Sequence, residues 1–77
     1  MSESESIAVQ ELFDLATNSK YYLEIRVAAV KSLGTYISSD PRVANMLATI
    51  ANNGKHYKEI RVAAAESLAR GGNAKGL

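Results

Sequence analysis

His56 is the one side chain of the 77 residues whose ordinary pKa lies near neutrality. It stands in a polar loop beside Lys55 and Lys58, with no second histidine or acidic partner at metal-ligand spacing, and is assigned no role. Cysteine is absent, which removes thiolate ligands, a cysteine nucleophile and a disulfide framework. The rest supplies no histidine and carboxylate constellation, no glycine loop opening a helix after a strand and no pair of acids facing a pocket. These residues predict no enzyme, no metal and no cofactor. Their chemistry is that of recognition: Glu24, Val27 and Lys31 recur 35 positions on as Glu59, Val62 and Glu66. An exposed β-branched residue gains nothing in helix propensity, so Val27 and Val62 stand out as candidate contacts to a partner protein. The competing reading is two scattered exposed valines.

These pairs belong to a longer repetition. The segment Tyr22 to Leu33 returns as Tyr57 to Leu68 with nine of twelve positions identical. A period of this size signals units that cover one another's apolar faces. The first unit opens with a helix from about Ser6 to Thr17, carrying Ala8, Val9, Leu12, Phe13, Leu15 and Ala16 in one arc. After a polar turn at Asn18, suited to a left-handed helix end, a second helix runs from about Tyr22 to Tyr36. Its expected core stripe is Ile25, Ala28, Ala29, Ser32, Leu33 and Tyr36.

Asp40 caps the next helix and Pro41 fits its first position, where a missing amide is no loss. That helix, about Pro41 to Ala51, carries Val43, Ala44, Leu47, Ile50 and Ala51 inward. Gly54 suits a left-handed cap, and a last helix runs from about Tyr57 to Arg70 until Gly71-Gly72 stops it. The expected organisation is a disordered lead over 1–5, one domain over 6–70 built of units 6–37 and 40–70, and a flexible tail over 71–77. Ser4 or Ser6 would cap the first helix. Arg26 and Arg61 are expected to be structural, holding a carboxylate or open helix-end carbonyls near the unit boundary. Tyr22 and Tyr57 are expected to pack against the preceding turns.

The motif Glu-Ile-Arg-Val-Ala-Ala-x-x-Ser-Leu, preceded in the second copy by Asp40-Pro41, resembles HEAT-like repeats of the phycobilin-lyase type over about residues 6 to 70. The resemblance implies an all-α fold, an α-α superhelix (solenoid) of two helical hairpins, whose second helices line a concave side. It implies a small protein-protein interaction or scaffold module binding a partner protein there, through Glu24, Val27, Lys31, Glu59, Val62 and Glu66. Some relatives serve in chromophore attachment, so the alternative is an accessory subunit of an enzyme such as a phycobilin lyase. The period of 35 is slightly long for the type, which implies longer loops, and two units are few.

Nine Lys and Arg against eight Asp and Glu give a net charge of +1, too weak a field to draw nucleic acid or an anionic membrane. A nucleic-acid reading through Lys20, Lys55, Lys58 and Arg61 is correspondingly disfavoured. The acidic start resembles no signal peptide and no run is long enough to span a membrane, so a soluble cytoplasmic protein is expected. Glu11 and Asp14 stand where the second unit has Met46 and Thr49, and Leu23 and Val30 become Lys58 and Ala65. Polar residues at both ends of the stack favour a monomer over a homodimer, with Ile7, Phe13 and Ile37 the residues least certain of cover.

Overall fold

Ser2 starts the first helix with a reciprocal cap. Its hydroxyl accepts the Glu5 amide at 3.1 Å while the Glu5 carboxylate takes the Ser2 amide, also at 3.1 Å. That amide bond, with the Ser2 hydroxyl, holds the Glu5 carboxyl below its usual range. The computed structural model describes the backbone of residues 2–76 and the side chains of residues 2–71. Helix α1 is Glu3–Thr17, so residues 3 to 5 are helical rather than a disordered lead, and Met1 lies outside the described residues. Helices α2 (Leu23–Gly34), α3 (Pro41–Asn52) and α4 (Lys58–Gly76) follow, with no strand among the described residues.

The turns inside the hairpins are built twice in the same way. Asn18 and Asn53 are not left-handed but extended, with φ of −87° and −85°. Each side-chain carbonyl instead accepts the amide two residues on, Lys20 at 3.0 Å and Lys55 at 2.9 Å. The asparagine thus folds the turn through its side chain, and the left-handed conformation is not needed. Gly54 has no positive φ either, and a Cβ there would meet nothing within 4 Å.

Between the hairpins, buried Asp40 caps α3 by accepting the Arg42 amide at 2.9 Å, and Pro41 fills the first turn. The Arg42 guanidinium grips the same carboxylate at 2.7 Å and holds its pKa below the usual range. It also donates to Ser6 Oγ at 3.1 Å, so Ser6 serves as an acceptor between hairpins and not as a helix cap.

Helix α1 packs on α2, α3 on α4, and α2 on α4, while α1 and α3 touch only marginally. The extents of 32 × 27 × 17 Å fit two helix layers. Val9 and Ala16 from α1, Val43, Leu47 and Ile50 from α3, and Ile60, Ala63 and Ala64 from α4 fill the core, while Ala44 is exposed. On α2 the buried residues are Arg26, Ala29, Val30 and Leu33. The expected stripe is therefore displaced: Ile25, Ala28 and Ser32 face solvent, and Tyr36 lies beyond the helix end. The cause is that α2 is covered on two sides, by α1 and by α4, and turns its next row of residues towards α4.

Gly71 does not stop α4. The helix continues to Gly76, and Gly71 itself is buried where a Cβ would stand 2.5 Å from Ile37 Cγ2. One turn earlier, a Cβ on Gly34 would stand 3.0 Å from Ser67 Cβ. Glycines on α2 and α4 thus allow a close crossing of the two helices. Residues 71–76 are helical where a flexible tail is predicted, and Leu77 lies outside the described residues.

Candidate protein-binding surface

Each second helix is pinned to its first by an arginine. Buried Arg26 donates from Nε to the Ala16 carbonyl at 3.0 Å, and Arg61 donates from Nε to the Ala51 carbonyl at 2.8 Å. Both acceptors lie in the last turn of the preceding helix, where carbonyls lack helical partners and carry the negative end of the dipole. The Arg26 guanidinium has a second task. Its Nη2 lies 3.0 Å from Nδ1 of His56, and its Cζ lies 6.0 Å from the Tyr57 ring centroid. Arginine offers only donors, so Nδ1 must be the unprotonated ring nitrogen. Burial first, then the charges of Arg26 and Arg61, push the His56 pKa below its ordinary value.

His56, assigned no role from sequence, therefore joins the second hairpin to the first. Its one sequence signal was its alignment with Tyr21, because a residue matched to a half-buried aromatic belongs to the fold of the turn. Tyr22 and Tyr57 are corrected in the opposite direction: they are 79% and 63% exposed and do not pack against the turns. Each stands just before its helix, with its ring outside the core, Tyr57 lying against Arg26.

Of the six residues expected to form one open stripe, five are exposed on the second helices and Val27 is half-buried. Glu24, Lys31, Glu59 and Glu66 are exposed, and Val62 is 47% exposed. Val27 is half-buried against the core, since it belongs to the row of α2 that α4 covers. Lys31 instead borders a groove of about 510 Å³ along the crossing of α2 and α4. Gly34, Ser67 and Gly71 floor it, Ile37 supplies an apolar wall, Thr35 and Ser38 offer hydroxyls, and Lys31 and Arg70 stand at its rim. The two cations at its rim favour an acidic segment.

Among the described residues no three His, Cys, Asp or Glu side chains gather as metal ligands, and no helix is long and apolar enough to cross a membrane. Comparison with protein-family models, with curated proteins and with solved structures returned no match.

Proposed function

We propose that this chain is a protein-recognition module, an α-α superhelix of two HEAT-like hairpins that holds an acidic partner segment along its second helices in the cytoplasm. The observation that carries the reading is the groove over the α2 and α4 crossing, with its small-residue floor and its paired cations Lys31 and Arg70. Duplicated Asx turns and arginine clasps support the two-unit architecture, because both hairpins are closed by the same bonds. In this reading Lys31 stays in the recognition surface, Arg70 joins it, and Val27, half-buried against the core, contributes less.

The test places a photo-reactive residue at Ser38, which lines this groove and is exposed, identifies the protein it captures, and titrates that purified partner by calorimetry. Lys31→Glu and Arg70→Glu alter exposed side chains and leave the fold intact. Each should weaken binding roughly tenfold by replacing attraction with repulsion at the rim. Unchanged affinity in both variants overturns the proposal.

A further inference from the structure

The two ends of the stack carry the halves of an interface that the molecule already contains once. Inside the chain, Ile60, Ala63 and Ser67 of α4 are buried against α2. Their counterparts one repeat earlier are Ile25, Ala28 and Ser32, identical in type, yet Ile25 is 42% exposed and the other two are open to solvent. This is the leading face of the first hairpin, and none of the described residues covers it. Conversely, Val27 and Val30 of α2 lie within the packed crossing, while their counterparts Val62 and Ala65 are exposed on the trailing face of the second hairpin. The exposed aliphatic residues follow the same division. Ile7 and Ile25 belong to the first hairpin, with Ile25 on the leading face, and Val62 lies on the trailing face.

The grooves on the two faces also differ in sign, with Glu59 and Glu66 flanking Val62 outside the trailing one. A shallow groove on the leading face is lined by Ala8, Glu11, Leu12, Ser32, Thr35 and Tyr36, and Asp14 is exposed one turn further along α1. A matching groove on the trailing face is lined by Ala51, Lys58, Arg61, Val62 and Ala65. The acids replace the Met46 and Thr49 of the second unit, and Lys58 replaces the Leu23 of the first. These substitutions, which from sequence suggest capped ends, also make the two ends attract each other.

We propose that a second copy of this chain docks its leading face on the trailing face of the first, head to tail, continuing the crossing of α2 and α4 between molecules. The contact is weaker than its internal template. Ala69 stands where the template has Gly34, whose Cβ would already meet Ser67 at 3.0 Å, and Ala65 replaces the larger Val30. Association is accordingly concentration-dependent, and salt weakens it by screening Glu11 and Asp14 from Lys58 and Arg61. Because the two surfaces differ, the contact adds copies in a line and does not close as a symmetric pair.

Sedimentation velocity on the full chain tests this with Ala28→Glu on the leading face and Ala65→Glu on the trailing face. Both alanines are exposed and glutamate is a good helix former, so each variant should fold, which circular dichroism checks. The wild-type mass should rise with concentration beyond a dimer and fall back with salt. Each variant alone should stay monomeric: Ala63, the counterpart of Ala28 in the internal crossing, is 3% exposed, so a glutamate at 28 would have to be buried, and a glutamate at 65 repels Glu11 and Asp14. Their equimolar mixture should form a dimer and stop there, since one intact face of each kind remains and the two blocked faces repel. A wild-type monomer at all concentrations, a variant that assembles like wild type, or a mixture that stays monomeric overturns the proposal. Neither variant touches Lys31 or Arg70, so failure here leaves the recognition groove standing, and the reverse also holds.

Discussion

Alanine at position 71 would place a methyl group 2.5 Å from Ile37 Cγ2 and 2.7 Å from its Cδ1, well inside contact distance. The Cδ1 end can rotate away, but Cγ2 and the Cβ at 3.3 Å belong to a stiff β-branched centre, so α4 must back off from α2. Overpacking of this kind costs about 1–3 kcal/mol. The better helix propensity of alanine offsets about 1 kcal/mol of it. Gly71→Ala should therefore destabilise by up to about 2 kcal/mol, lowering Tm by about 4–8 °C for each kcal/mol. Thermal and urea unfolding followed by far-ultraviolet circular dichroism measure this. In the double variant with Ile37→Ala, Cγ2 and Cδ1 are gone and the new methyl occupies their space. The cycle should then show a favourable coupling of about 1–2 kcal/mol. A more stable Gly71→Ala, or an additive double variant, would refute the close crossing and return Gly71 to the role of a helix stop.

Gly54 provides the converse case: with open space and no positive φ, Gly54→Ala should gain about 0.4–1 kcal/mol through a less flexible unfolded chain, read from the same urea curves. Arg26→Ala removes a buried charged donor from the Ala16 carbonyl and from His56, and should cost about 1.5–3 kcal/mol in urea unfolding. Because the folded-state pKa of His56 is depressed, its contribution is present above the ordinary histidine pKa and lost as pH falls through the lowered value. Tm measured between neutral and mildly acidic pH should decline over that window, and His56→Gln should flatten the decline. The Asp40 contribution is lost only at lower pH, in the carboxylate range, which keeps the two effects apart.

Much of the architecture could be read from the repeat and its punctuation. The Asp40-Pro41 pair marks the start of α3 because both residues act locally, one by its side chain and one by its missing amide. The facing of α2 was not legible. Ile25 and Ile60 are identical in type and in local surroundings, yet one is 42% exposed and the other is 0% exposed, because only the second has a helix in front of it. Periodicity locates an apolar arc, but alanine and serine at Ala28 and Ser32 pack or face water with little difference in cost, so the arc has no sharp edge. The candidate site suffered most from this. Val27 looked solvent-facing by its angle on the helix, whereas it lies where the second hairpin docks. Gly71 was misread for a related reason: a glycine pair after a helical run has the pattern of a terminator, and only the position of Ile37 reveals the close approach.

The arginine clasps also bear on the order in which the molecule is made. Each joins residues only ten apart, Arg26 to Ala16 and Arg61 to Ala51, whereas the Arg26 to His56 and Arg42 to Ser6 contacts join residues 30 and 36 apart. Closing a short loop costs little chain entropy, so contacts within a hairpin can form before those between hairpins. The clasps then belong to the early part of the folding pathway and the His56 contact to its final docking step. Loss of a clasp should slow refolding, while loss of His56 should mainly hasten unfolding.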